Sequence, residues 1–552
     1  MILEVIADIA IPYLMSRIVD VGIANQDIEY VLKIGLIMVA AALAGMTFGI
    51  ISSHYGAKAG FGFASEIRFK LFEKIQGFSF ANLDKFTVAS LITRLTNDCN
   101  TLGQVTMMSL RMAVRAPFMM IFALFMALRI NASLARVFVV SIPALVIVLT
   151  IILSKARPMF LLMQTKIDRV NAIIRENLTA IRVVKSFNRQ NHEEARFKER
   201  NDSLRDTALR AISLIVFLMP VLSIVTYSTI VAVLWFGGIQ VASGLMETGE
   251  LISFITYITQ ILMSLMMMSF FFMQLLRATA SVTRIVEVLN TESEIKEDEN
   301  PIRELPDGSV AFEGVSFRYP GSSEKTLKNI NFHINSGEVL GIIGSTGSSK
   351  STLVQLIPRL YDTTEGRVLV GGIDVKRYDI KALRDKVAFV LQKNTLFSGT
   401  IRENMKWGNE KASDEEIIHA LKLAQAWEFV SKYKDGLDHR VDQGGENFSG
   451  GQKQRLTIAR ALLKSPKIII LDDSTSAVDM ATDAKIQRIF KDELKDVTTI
   501  IIAQRVSSIQ YADRILVMNE GEIEASGKHE DLLLSSPIYR EIYESQQRGV
   551  GA

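Results

Sequence analysis

The chain has 552 residues, too many for a single hydrophobic core, and its length implies roughly two to four domains. Hydrophobic residues make up 49% while 62 Lys and Arg nearly balance 59 Asp and Glu, a combination that fits a membrane half joined to a soluble half; the net charge of +3 is too small to argue for nucleic acid and no basic tract of the kind that binds it is present, so no nucleic-acid partner is expected. A single cysteine, Cys99, excludes an intrachain disulfide and any multi-cysteine zinc site.

From the N-terminus, nothing reads as a cleaved signal peptide, because no basic segment leads the first apolar run and Glu4 and Asp8 interrupt it. Six apolar stretches follow one another, at residues 1–23, 30–52, 105–128, 134–153, 211–236 and 251–276, each about the twenty residues a helix needs to cross a lipid bilayer. Together they predict an all-α six-helix transmembrane domain over residues 1–289. The first stretch lacks a preceding amphipathic segment, as though the chain starts partway through a helix. Links alternate between short ones (25–29, 131–132, 237–250) and long charged ones (57–101, 155–210). The second long link carries Arg157, Arg169, Arg175, Arg182, Lys185, Arg189, Arg196 and Arg200, which assigns the long links to the cytoplasm. An even number of spans then returns both termini to that side.

Inside the spans, Arg111 and Arg115 are four residues apart and share one helical face. Charge facing lipid is costly, so the pair turns towards a cavity or partner; a structural polar contact or a place near the membrane boundary fits equally. The sixth span holds Met263, Met266, Met267, Met268, Phe270, Phe271, Phe272 and Met273. Such side chains make an adaptable surface for varied apolar ligands, or pack against neighbouring helices. Residues 290–307 are acidic and polar, contain Pro301 and Pro306, and read as a linker. Beyond it, the alternation of Val310, Phe312, Val315 and Phe317 opens a mixed strand and helix pattern that predicts an α/β domain over residues 308–552.

The soluble half is organised around Gly344, Ser345, Thr346, Gly347, Ser348, Ser349, Lys350, Ser351 and Thr352, between the apolar runs 339–343 and 353–360. This is a P-loop of the phosphate-binding kind. Small residues let backbone N–H groups curl round a polyphosphate, Lys350 reaches the terminal phosphates, and the Ser351 hydroxyl sits on Mg²⁺. The pattern places glycine where Ser349 stands. Further on, Phe448, Ser449, Gly450, Gly451 and Gln452 precede a helical run at 453–463, and residues 468–472 read as a buried strand ending in the carboxylate of Asp472.

In this order and spacing, the three motifs resemble the ATPase domain of ATP-binding cassette (ABC) proteins, and six spans fused to one such domain resemble a half-transporter of the ABC exporter type. The fusion speaks against an importer and the spans against a soluble cassette. The resemblance implies ATP and Mg²⁺ as ligands and a multi-pass protein of the inner or plasma membrane with its ATPase domain in the cytoplasm. It implies that Tyr319 stacks on adenine, and that Ser351, Gln392 and Asp472 serve the metal. Phe448, Ser449, Gly450, Gly451 and Gln452 would cover ATP held by an opposite cassette, and the loop of residues 476–479, ending in Asp479, would cross to that cassette. Segments near 84–90 and 182–188 match the family's short coupling helices.

Departures from the family pattern carry as much information. After Asp472 the family has a glutamate that orients the attacking water, where this chain has Asp473; its switch histidine is replaced by Gln504. Gln443 stands where exporters usually carry an acidic residue, and Ser349 is a fourth change. Aspartate is one methylene short, and glutamine cannot carry imidazolium charge. The signature itself is intact. The expectation is therefore a heterodimer with a second ABC half-transporter subunit, in which this chain's own site is degenerate, exporting small amphipathic or hydrophobic molecules. The rivals are a homodimeric slow exporter or lipid flippase, and an ATP-gated channel or regulatory subunit.

Overall fold

The protein is represented by a computed structural model that describes residues 1–473 and 480–550. It divides into two compact units, one formed by Met1–Glu73 with Ile92–Leu289 and the other by Lys74–Leu91 with Asn290–Ala552. In chain order the first ten α-helices are α1 (Ile2–Arg17), α2 (Ile28–Gln76), α3 (Phe80–Lys85), α4 (Val88–Thr93), α5 (Cys99–Ile130), α6 (Val137–Thr179), α7 (Ile181–Ser186), α8 (Gln190–Val216), α9 (Leu218–Ala242) and α10 (Thr248–Asn290). Among the described residues five helical segments are long and apolar enough to cross a membrane: Ile28–Gln76, Val88–Ile130, Leu134–Thr179, Gln190–Ala242 and Thr248–Asn290. The other expected span, residues 1–23, is helical but is not one of the five. It carries Glu4, Asp8, Arg17 and Asp20, and after Arg17 it continues as a π-helical stretch, Ile18–Ile23.

Side chains of other helices hold α1 at its broken backbone and at its charges. Pro12 cannot donate to the carbonyl of Asp8, and side chains of α10 attend to the carbonyls near this gap. Gln260 Nε2 reaches Asp8 O at 3.4 Å, Tyr257 Oη donates to Ile9 O at 2.9 Å, and Ser253 Oγ donates to Pro12 O at 2.5 Å. Its two carboxylates meet Arg115 of α5, with Nη1 2.5 Å from Glu4 Oε1 and Nη2 2.8 Å from Asp8 Oδ2. Arg115 thus makes a structural polar contact, the second of the two readings open from sequence. Val5, Ile9, Ala123, Ala127, Leu145, Phe254, Tyr257 and Ile261 form a buried core.

The second unit is α/β. Four strands, β1 (Val310–Phe317), β2 (Leu327–Ile334), β4 (Glu365–Val370) and β5 (Ile373–Asp374), pair antiparallel in the order β2-β1-β4-β5. A six-stranded sheet runs β12-β11-β3-β10-β9-β6, built from β3 (Val339–Gly344), β6 (Val387–Val390), β9 (Ile468–Asp472), β10 (Thr498–Ile502), β11 (Arg514–Asn519) and β12 (Glu522–Gly527). All neighbours in it pair parallel except β11 with β12. A two-stranded ribbon of β7 (Gly399–Thr400) and β8 (Arg440–Val441) completes the strands among the described residues.

Helices covering both faces of a parallel sheet require strands that are apolar throughout, and these read so. Leu340, Ile342, Ile468, Ile470, Ile500 and Ile502 feed one core, while Ile343, Ile469, Leu471 and Ile501 feed another, in the period-2 alternation of a strand. The first core also takes in Ala81 of α3. That helix begins at Phe80, four residues before the coupling segment expected from residue 84. Ser79 and Asn82 cap it reciprocally, and its Asp84 Oδ2 accepts from Tyr361 Oη at 2.6 Å. The second expected segment, from residue 182, is close to α7.

Candidate nucleotide-binding site

Four adjacent parallel strands, β3, β10, β9 and β6, end side by side, and each delivers one of the expected groups at its carboxyl end. In open α/β sheets this edge is where ligands bind. The loop from Gly344 follows β3, Gln504 follows β10, Asp472 and Asp473 end β9, and Gln392 lies two residues beyond β6.

The loop is shaped by backbone geometry that its sequence partly resists. Gly344 has no room for a side chain, since a Cβ there would run into the carbonyl of Met518. Gly347 has φ 87°. Ser349 has φ 69°, in the left-handed region, which explains the glycine of the general pattern at this position. The serine keeps the required conformation at a cost of about 1 kcal/mol. Ser345, Thr346 and Ser348 complete the turn, with Ser348 N donating to Ser345 O at 3.2 Å.

Lys350 opens the helix Lys350–Gln355, and its Nζ turns back into the loop. It donates to Gly344 O at 2.9 Å, Ser345 O at 2.8 Å and Ser348 Oγ at 3.2 Å. These acceptors are neutral. Burial lowers the ammonium pKa, with the charges of Asp472 and Asp473 opposing the shift. Ser351 Oγ donates to Asp472 Oδ1 at 2.9 Å. Asp472 is 3% exposed, and burial raises its pKa against that hydrogen bond, with the charge of Asp473 adding to the rise. A cationic amine held by carbonyls, beside a hydroxyl and a desolvated carboxylate, fits a magnesium polyphosphate: phosphate oxygens match the amine, and the two oxygen donors suit a hard cation.

Asp473 has φ 48°, which aspartate enters more readily than most residues. Gln504 Nε2 donates to its Oδ2 at 2.7 Å, and the Gln392 side chain also hydrogen-bonds to it. Burial raises the Asp473 pKa, while those two bonds and the charges of Lys350 and Arg505 oppose the rise. Gln392 is thus brought to Asp473. Tyr319 is half-buried, its Oη 3.0 Å from Thr352 Oγ1 and its ring edge-to-face with Phe317 and Tyr361. Tyr361, which no motif singles out, joins Tyr319 to Asp84; an aromatic after the helical run was its one sequence signal.

The signature forms a separate feature. Phe448 is buried, edge-on to Tyr433 and His439. Ser449 caps the helix Gly450–Leu462, accepting from Gln452 N at 3.3 Å, while Gln452 Oε1 accepts from Ser449 N at 2.9 Å. Gly450 is exposed and Gly451 half-exposed, which leaves this N-terminus open to an outside group. Among the described residues no hydrogen bond joins the signature to the phosphate loop. Asp479 lies outside the described residues.

Known proteins share this plan. Residues 1–265 match the family described as the ABC transporter transmembrane region, and residues 327–476 match the family described as ABC transporter. An uncharacterized ABC transporter ATP-binding protein of Bacillus subtilis, YfiB, is 40% identical over 546 residues, covering 99% of this chain and 95% of its own. A fatty acid ABC transporter ATP-binding/permease protein of Mycobacterium bovis is 34% identical over 473 residues, covering 85% of this chain and 74% of its own. The structure of a bacterial Atm1-family ABC exporter with ATP bound has the same fold, with a TM-score of 0.83 at 23% identity, covering 99% of this chain and 96% of that one. The chain belongs to the ABC transporter family, as a half-transporter of the exporter type: a multi-pass membrane protein whose cytoplasmic ATPase domain couples ATP hydrolysis to transport.

Proposed function

We propose that this chain is one half of a heterodimeric exporter of small amphipathic or hydrophobic molecules, and that its own ATP site hydrolyses slowly. The observation that carries the proposal is the 2.7 Å bond from Gln504 Nε2 to Asp473 Oδ2. An amide and a short carboxylate hold each other where the family pairs a histidine with a glutamate. Neither can do the full work of those groups, because Asp473 falls one methylene short of the attacking water and Gln504 cannot bear a proton's charge. Asp473 and Gln504 are then the groups nearest hydrolysis and the weak point of the site.

Binding residues need not be weakened to the same degree. Gly344, Ser345, Thr346, Gly347, Ser348, Ser349, Lys350, Ser351 and Thr352 wrap the phosphates of ATP, and Tyr319 offers its ring to adenine. Ser351, Asp472 and Gln392 would hold Mg²⁺, which when bound offsets phosphate charge. ATP kept here favours one conformation of the exporter without rapid turnover. Phe448, Ser449, Gly450, Gly451 and Gln452 complete the fast site, whose phosphate loop belongs to the partner, with Asp479 in the crossing loop. For the cargo, support comes from α10, where Met263, Phe270 and Phe272 are exposed beside half-buried Met266, Met267 and Met268, and from the M. bovis relative named for fatty acids.

ATP hydrolysis by the purified chain alone in nanodiscs, beside Asp473→Glu with Gln504→His, tests the reading. Near silence of the natural chain and a gain of about a hundredfold in the double variant are expected. Vigorous turnover by the natural chain alone would sink the degenerate-site reading and favour a homodimeric pump.

A further inference from the structure

We infer that Gln546, in the C-terminal helix, is a positioning residue for Gln504. The helix Pro537–Val550 is seated firmly on the ATPase unit: Tyr539 is fully buried, Ile538, Ile542 and Tyr543 pack on the core, and Tyr539 Oη lies 2.7 Å from His529 Nδ1. Arg540 fastens it further, donating to Leu533 O at 2.7 Å and Leu534 O at 2.8 Å. A helix tied down in this way can aim a side chain from its later turns.

Gln546 is aimed at the backbone on both sides of Arg505. Its Nε2 donates to Gln504 O at 2.8 Å, and its Oε1 accepts from Val506 N at 2.9 Å. One amide therefore grips the chain with both of its ends, which only an amide of this length can do, since a carboxylate has no donor for a carbonyl. The same residue Gln504 reaches Asp473 with its side chain at 2.7 Å, and Asp473 N donates to Ile502 O at 3.0 Å. A circuit results: β10 holds Asp473, Asp473 is met by Gln504, and Gln504 is held by the last helix of the chain. Where the side chain of residue 504 points depends on its main chain, so the C-terminal helix sets the reach of the switch position. This role rests on the reading of Asp473 and Gln504 as the groups nearest hydrolysis.

The test uses the full chain in nanodiscs, as Gln546→Leu and Gln546→Glu, each in the natural chain and in Asp473→Glu with Gln504→His. In the double-variant background, Gln546→Leu is expected to lower kcat about tenfold, the worth of two hydrogen bonds, with the KM for ATP unchanged. Gln546→Glu, which keeps the acceptor for Val506 N, should fall between. In the natural chain, amide exchange should quicken over residues 503–507 while β3 and β9 stay protected. Unchanged kcat and unchanged exchange would overturn the inference, as would a rise in KM accompanied by faster exchange throughout the unit. If the double variant gains no turnover, the degenerate-site reading fails, and the exchange arm still decides the place of Gln546: local deprotection supports it, and none overturns it.

Discussion

The helix contacts of the membrane unit and the strand ends of the ATPase unit treat charge differently. In the membrane unit, ionised side chains are matched with one another: Arg115 meets Glu4 and Asp8, Arg284 meets Asp98 through two nitrogens, and Arg94 meets Glu287 at 2.9 Å. At the strand ends of the ATPase unit, burial acts against the charges. Lys350 donates to carbonyls and a hydroxyl, Asp472 accepts from Ser351, and the two charges attract each other, yet burial shifts both towards their neutral forms. Paired charge is a means of packing helices; charge that burial disfavours at a sheet edge is a means of binding what arrives. Perturbed groups of that second kind, gathered at one sheet edge, mark a functional site.

Breaking the membrane triad should therefore cost stability first and foremost. Arg115→Ala leaves two carboxylates facing each other among apolar helices, and a loss of about 3 kcal/mol is expected in thermal unfolding of the chain in detergent. Adding Glu4→Gln and Asp8→Asn to that variant should recover most of the loss. If Arg115→Ala melts like the natural chain, the triad is not a packing device.

At the strand ends the same kind of change should have the opposite sign without ligand. Burial and the charge of Asp473 disfavour the ionised Asp472, whose pKa is raised, so its carboxylate weakens the ligand-free fold as pH rises through that raised value. Asp472→Asn is expected to leave the ligand-free melting point equal or higher. It should also forfeit the stabilisation by Mg-ATP, which for the natural chain is about 2.7 kcal/mol at a hundredfold excess over Kd. A variant destabilised in the absence of ligand, with its nucleotide response intact, would place Asp472 with the packing charges.

How much of this was legible in the sequence follows from the same contrast. The ATPase fold and the gathering of its candidate site at the strand ends could be read because backbone geometry forces particular residues into fixed order: glycine where Met518 O leaves no room, apolar runs for strands buried on both faces, carboxylates at strand ends. In the membrane unit the apolar helices were legible, and so was the interruption of the first by Glu4 and Asp8, but not what holds it: Arg115 takes both carboxylates and Gln260 attends to the backbone near Pro12, contacts between residues more than a hundred positions apart. The role of Gln546 left no trace either. It sits in a polar stretch, and what it does depends on a contact 42 residues away in sequence. The helix expected near residue 84 begins at Phe80, because the Ser79 and Asn82 cap sets its start ahead of the charged residues.

The smallest of the expected effects concerns Ser349, where the sequence departs from the phosphate-loop pattern but the backbone does not. A serine at φ 69° costs about 1 kcal/mol relative to a residue without Cβ, while glycine gives back part of that through the freedom it adds to the unfolded chain. Ser349→Gly should then raise stability by no more than about 1 kcal/mol in the ligand-free chain. Because Ser349 already adopts the left-handed conformation that glycine would take, the affinity for Mg-ATP should change by less than about threefold, the equivalent of that small difference. A large gain in affinity would mean that Ser349 holds the natural loop away from this conformation, and that the weakness of the site begins with binding and not with Asp473 and Gln504.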